Sequence, residues 1–262
     1  MAKKLHNEIG LAQNFLANPN LVRSMVSASS ISGTDIVYEI GPGHGIITAE
    51  LAGTARRVMA VEIDPLLVRE LHERFLHVRN VHIIAGNFLR YRIKDEEYKI
   101  FANIPYNSTA EIMRKILYMA PGPSEAYLIM QREAAQKFAG LPRETQFSIL
   151  AKPLYSMQIL RNLQRTDFTP IPGVESVLLH VRKRRPPLIG EQDLSLYRNF
   201  VHYGFGRWRR NLKSSFKPVF SYEQWKRLSR DLRFRSEAAP SELTFEQWLG
   251  LFDFFRQTIV RR

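Results

Sequence analysis

The chain contains no cysteine. Disulfides, thiolate metal ligands and a cysteine nucleophile are therefore excluded, and a reducing compartment is compatible with the sequence. Long apolar runs are missing too. Nothing approaches the ~18 consecutive apolar residues of a membrane span, and Met1–Gly10 is basic without the apolar stretch of a secretory signal. The sequence also lacks fixed-period repeats and low-complexity tracts. Acidic residues are scarce: 25 Asp and Glu face 38 Lys and Arg, a formal net charge of +13. With 45% apolar and 24% charged residues, the 262-residue chain has a globular composition. The expectation is a folded, cytoplasmic protein with a polyanionic partner, nucleic acid rather than membrane.

What is present falls into two textures. From Asp35 to about Arg184, short apolar runs alternate with helical patterns. Strands are predicted at 36–40, 57–62, 81–84, 99–102 and 126–130. Helices are predicted at 46–54, 66–77, 108–119 and 132–139, the third capped by Asn107 or Ser108. Strand then helix, repeated, specifies an α/β class with a parallel sheet covered on both faces. The runs at 155–160 and 176–181 are expected to close the sheet as antiparallel strands. Arg182-Lys183-Arg184-Arg185-Pro186-Pro187 marks a boundary, which gives a first domain over 1–185 and a small helical domain over 186–262. Helices are predicted there at 193–205, 221–232 and 244–259. Basic residues outnumber acidic ones 11 to 2 between Arg198 and Arg235, so charge is concentrated early in this second domain.

The first motif follows the first predicted strand. Gly41-Pro42-Gly43-His44-Gly45 sits at a strand-to-helix turn, where glycines let a ligand approach the backbone. Glu62 ends the next strand, 19 residues after Gly43, where a carboxylate can accept both hydroxyls of a ribose. An adenosine-containing ligand fits this arrangement. The third glycine falls one place early for a dinucleotide fingerprint, and no Tyr-x-x-x-Lys proton relay is evident, which disfavours a nicotinamide oxidoreductase. Taken alone, the turn also suits an ordinary βα connection, and Glu62 also suits a solvated strand end.

The second motif, Asn103-Ile104-Pro105-Tyr106, follows the fourth strand, at the carboxyl end where open α/β sheets place ligands. Its chemistry suits an exocyclic base amine, whose lone pair is delocalised into the ring. The Asn103 amide oxygen and the Ile104 carbonyl can accept the two N–H bonds and turn the nitrogen toward an electrophilic methyl. Pro105 stiffens the loop, and Tyr106 offers a face on which to stack the base. The bland alternative is a turn, with Tyr106 covering the core.

Four ordered stretches are Gln13-Asn14-Phe15-Leu16, Glu39-Ile40-Gly41-Pro42-Gly43-His44-Gly45, Asn103-Ile104-Pro105-Tyr106 and Phe168-x-Pro170-x-Pro172-x-Val174-x-Ser176-Val177. Together they resemble the ribosomal RNA adenine N6-methyltransferase family, which includes the Erm macrolide-resistance enzymes and the KsgA type. The resemblance covers residues 11 to about 182. It implies a Rossmann-like methyltransferase sheet, S-adenosylmethionine as donor and an adenine of structured RNA as acceptor. It places the donor against Asn14, Leu16, Gly41, Gly43, Glu62, Ile63, Asn87 and Asn103. It places the flipped adenine against Asn103 and Ile104, between the rings of Tyr106 and Phe168; for Phe168 an ordinary core position is the alternative. The family usually carries Asp where this chain has Asn87, which implies weaker donor binding.

Within the family, Val37-Tyr38-Glu39-Ile40-Gly41 followed by Thr48 looks more Erm-like, as does Gly204-Phe205-Gly206-Arg207-x-Arg209-Arg210-Asn211-Leu212. The KsgA type usually carries Arg-Arg-Lys-Thr-Leu in that second region. The implied target is one adenine of 23S rRNA, whose methylation blocks macrolide, lincosamide and streptogramin B binding. A KsgA-type 16S rRNA dimethyltransferase and a catalytically silent nucleic-acid binder remain as alternatives. Expected RNA contacts are Arg182, Lys183 and Arg184, and Arg207, Arg209, Arg210 and Lys213. A solvated positive face is the bland reading of each cluster. A monomer without metal is expected.

Overall fold

A computed structural model describes residues 14–118, 121–206 and 211–260. The strands are β1 (Phe15–Leu16), β2 (Ile36–Ile40), β3 (Arg57–Glu62), β4 (Val81–Ala85), β5 (Lys99–Asn103), β6 (Glu125–Gln131), β7 (Tyr155–Leu163), β8 (Phe168–Thr169) and β9 (Ser176–Lys183). The helices are α1 (Pro19–Ser27), α2 (Ile46–Ala52), α3 (Pro65–Arg74), α4 (Thr109–Tyr118), α5 (Arg132–Ala139), α6 (Gln146–Ala151), α7 (Glu191–Gly206), α8 (Leu212–Phe216), α9 (Tyr222–Asp231) and α10 (Phe245–Val260).

Seven strands form one sheet in the order β4-β3-β2-β5-β6-β9-β7. The first five in that order run parallel. β9 lies antiparallel to β6, with Glu125 opposite Arg182 and Gln131 opposite Ser176. Central strands bury side chains on both faces, as their unbroken apolar runs require: Ile100, Phe101 and Ala102 of β5 are all inaccessible. The order of connection reverses between β2 and β5. At such a switch point the two outgoing loops diverge and open a crevice at the carboxyl ends of the strands. The two sequence motifs are those two loops.

Several elements lie outside the sequence expectation. α1 opens with Asn18, whose side chain accepts from Leu21 N, and with Pro19 in its first turn; it buries Leu21, Val22, Met25 and Val26. β1 and β8 make a small antiparallel pair with Phe15 opposite Thr169 and Leu16 opposite Phe168. The third predicted helix starts later than expected. Asn107 and Ser108 belong to a 3-10 turn over Tyr106–Ser108, and α4 begins at Thr109.

The described residues fall into two compact units. One takes in the chain up to Ala135 and Met157–Lys183; the other takes Gln136–Ser156 and the chain from Arg184 onward. The chain thus passes between the units after residues 135, 156 and 183, and residues 136–156 belong to the helical unit. There Ile149 of α6 is buried in a core with Tyr197, Phe200, Phe216 and Trp248, and the Tyr197 hydroxyl donates to the Ile149 carbonyl at 2.9 Å. No helix among the described residues is long and apolar enough to cross a membrane.

Candidate active site

The glycine turn is shaped by close approach. Gly43 and Gly45 have φ of +57° and +79°. A Cβ on Gly43 would stand 2.8 Å from the Phe15 ring, and one on Gly45 would stand 2.7 Å from Phe75 and 2.9 Å from Leu71. The third glycine is thus required by packing against α3 as well as by its left-handed backbone. Beneath the turn, Glu62 is buried. Its Oε2 accepts from Gly43 N at 3.2 Å, and its Oε1 accepts from Ile63 N at 2.8 Å and Asp64 N at 2.9 Å. Burial pushes the Glu62 carboxyl above its ordinary value, and these backbone donors oppose that rise.

The second loop is fixed at three points. Ile104 N donates to the Ile129 carbonyl at 2.9 Å, and the Ile104 side chain is buried. The Tyr106 hydroxyl and Ser176 Oγ lie 2.8 Å apart. The Asn103 Nδ2 donates to the Asn14 carbonyl at 2.8 Å. That last bond uses the donor side of the amide, so the Asn103 Oδ1 is left as an acceptor.

The two loops meet in one crevice. A cleft is lined by Asn14, Phe15, Gly41, Gly43, Glu62 and the 103–106 loop. A second is lined by Gly41, Ile63, Gly86, Asn87, Phe88, Leu89, Pro105, Ser108 and Ile112 among others. Gly41 and Pro105 border both. Of the expected site residues, Asn14, Gly41, Gly43, Glu62, Asn103, Ile104 and Tyr106 line the first cleft, and Ile63 and Asn87 line the second.

Two expectations are corrected. Phe168 does not present a ring to a base: it is 1% exposed, because pairing with Leu16 turns it into the core while Thr169 faces out. Leu16 is also buried in that core, and the cleft is lined instead by its neighbours Asn14 and Phe15. Asn87 lines the second cleft, and its Oδ1 accepts from Leu89 N at 2.8 Å, which caps the turn that follows and leaves the oxygen's second lone pair. The sequence reading assigned no role to Phe15 or Ser176. Alternation along β1 puts Phe15 opposite Leu16 in direction, toward the glycine turn. Ser176 is a polar residue opening a buried apolar strand, which signals a required hydrogen bond.

Of the expected RNA contacts, Arg182 is exposed, Lys183 is half-buried, and Arg184 is committed internally, its Nε donating to the Lys152 carbonyl at 2.8 Å. Lys213 pairs with Glu237 at 3.0 Å. Arg207, Arg209 and Arg210 lie outside the described residues.

Glu39, one strand over from Glu62, is buried with Thr48 Oγ1 donating to its Oε2 at 2.6 Å. Burial pushes its carboxyl up to about 8, the nearby Glu62 adding to the rise. The folded protein therefore keeps a proton that the unfolded chain releases above 4.5, so stability falls as pH rises from there to about 8. Glu39→Gln is expected to flatten that fall. Urea midpoints at about pH 5.5 and about pH 8 measure it; an identical loss in wild type and variant would contradict the assignment.

A doubly wound sheet with a glycine turn, a buried carboxylate and a polar loop at its switch point sets a ligand crevice at the carboxyl ends of its strands. A family model for ribosomal RNA adenine dimethylase matches residues 4–257. The chain belongs to that family, and it is an rRNA adenine methyltransferase. It is 30% identical to the ribosomal RNA small subunit methyltransferase A of Thermotoga neapolitana, over 95% of this chain and 92% of that protein. It is also 30% identical to an rRNA adenine N-6-methyltransferase of Limosilactobacillus reuteri, over 94% and 95%. Among solved structures, the 23S rRNA methyltransferase ErmE superposes with a TM-score of 0.87 at 27% identity, over 93% of this chain and all of that one.

Proposed function

We propose that the chain transfers methyl groups from S-adenosylmethionine to N6 of one adenine in 23S rRNA, and so confers macrolide, lincosamide and streptogramin B resistance. The observation that carries the chemistry is the Asn103 amide, tied to Asn14 and leaving its oxygen to face the crevice shared with Glu62. The residues present fit the donor. Glu62 keeps acceptor capacity toward a ribose, the bare Gly41–Gly43 backbone admits close approach, and the second cleft offers Ile63 and Asn87 to a purine. When bound, S-adenosylmethionine supplies an electrophilic methyl group. Asn103 Oδ1 and the Ile104 carbonyl accept the two N6 hydrogens and aim the amine lone pair out of the ring plane. Tyr106, its hydroxyl anchored on Ser176, supports the base. The thioether leaves as the N–C bond forms, and the methylated nitrogen, cationic and strongly acidic, then releases one proton to water, so no base stronger than these neutral acceptors is needed.

The likeness to ErmE supports the 23S target, as does the basic stretch from Gly204 to Leu212. The identity to the Thermotoga protein supports a small-subunit target as the second reading. The basic helical part is read as the RNA-binding domain of a cytoplasmic monomer. Naked 23S and 16S rRNA offered separately with labelled donor decide between the targets: label in 23S alone is expected, and label in 16S alone would overturn that choice.

A further inference from the structure

The helical unit holds a cavity that the chemistry above does not use. It lies between α8 and α9 and measures about 470 Å³. Its floor is aromatic: Phe216, Phe220 and Trp225 are 1%, 4% and 3% exposed, with ring centroids 5.5–6.2 Å apart. The indole N–H of Trp225 is satisfied by Ser236, at 3.1 Å to its carbonyl, so the floor asks for no polar partner. On the rim, Tyr222 is 64% exposed, an unusual position for so large a ring. Lys213 Nζ stands 5.5 Å from the centre of that ring and is tethered by Glu237, which Asn211 also holds. Lys217 stands exposed on the same rim.

The geometry points to a subsite for one unstacked nucleotide of single-stranded RNA, its base on the exposed ring of Tyr222 and its phosphate on Lys217, with Lys213 beside the ring. An exposed aromatic ring beside lysines is the chemistry by which proteins hold unpaired bases along a charged track. An apolar cavity alone would also accept a peptide. Charge favours a polyanion: two lysines, Lys213 and Lys217, line the cavity against one carboxylate, Glu237. A second copy of a chain charged +13 would be repelled from this face.

The inference rests on the reading of the chain as an RNA-acting protein, and its test separates the two. The full chain is titrated into a fluorescein-labelled single-stranded oligoribonucleotide of mixed sequence. Tyr222→Ala is expected to weaken binding about tenfold while Tyr222→Phe, which keeps the ring, stays near wild type. Lys217→Ala is expected to reduce the salt slope by about 0.7. Both side chains are exposed, so the fold is retained, and Lys217→Ala carries the test if Tyr222→Ala is unstable. Equal affinity of Tyr222→Ala and wild type, with an unchanged slope in Lys217→Ala, would overturn the subsite. So would a Tyr222→Ala effect confined to oligomeric state. A wild-type chain that binds the oligonucleotide through Tyr222 yet methylates neither rRNA would refute the proposed function and leave the subsite standing.

Discussion

Asn103→Ala is expected to lower the methylation rate at saturating donor and RNA by on the order of a thousandfold. The side chain stands at the end of β5, half-buried, with its Nδ2 spent on the Asn14 carbonyl and its oxygen free to accept. Truncation removes the acceptor that orients the reacting amine, an interaction that matters most when the nitrogen must leave ring conjugation. Stability should change little, because the vacated Asn14 carbonyl opens onto the cleft and can take water. Asn103→Asp keeps an acceptor but sets a carboxylate against the Asn14 carbonyl, so an intermediate rate is expected. Labelled-methyl incorporation in single turnover, with thermal unfolding as the control, reads both. A wild-type rate in Asn103→Ala would remove the amine-orienting role.

The second large effect falls on donor affinity. Glu62→Ala is expected to weaken binding of S-adenosylhomocysteine by about a hundredfold, as two hydrogen bonds to a charged acceptor are lost at about 1.5 kcal/mol each. The same change strands the backbone N–H groups of Gly43, Ile63 and Asp64, so the glycine turn loosens and the unfolding temperature falls. Glu62→Gln separates the two consequences. Its amide oxygen can still serve Ile63 and Asp64, whereas its NH2 meets the Gly43 N–H as donor against donor, so an intermediate loss near tenfold is expected. Calorimetric titration gives the affinities. Unchanged affinity in Glu62→Ala would place the ribose elsewhere.

The sheet was readable because parallel strands buried on both faces are short continuous apolar runs separated by helical periodicity, and 36–40, 57–62 and 99–103 follow that rule closely. The switch point was readable because both motifs end strands. α1 is signalled by Asn18-Pro19 and the stripe Leu21, Val22, Met25 and Val26. Other features needed the tertiary structure. The direction of the Phe168 ring is set by a pairing with Leu16, far away in sequence, and a two-residue strand has too little alternation to reveal its inner face. α6 carries a legible Thr145 cap, yet nothing local states that Ile149 joins the helical core rather than the sheet core. The turn that Asn87 caps, through Leu89 N, forms only once the loop is folded.

The crevice at the switch point is most directly tested by determining the structure of the chain with S-adenosylhomocysteine bound. Ribose hydroxyls on Glu62, the purine beside Ile63 and Asn87, and the sulfur directed at the opening between Asn103 and Tyr106 are expected. A ligand seated outside the two joined clefts, or one whose sulfur faces away from residues 103–106, would contradict that placement.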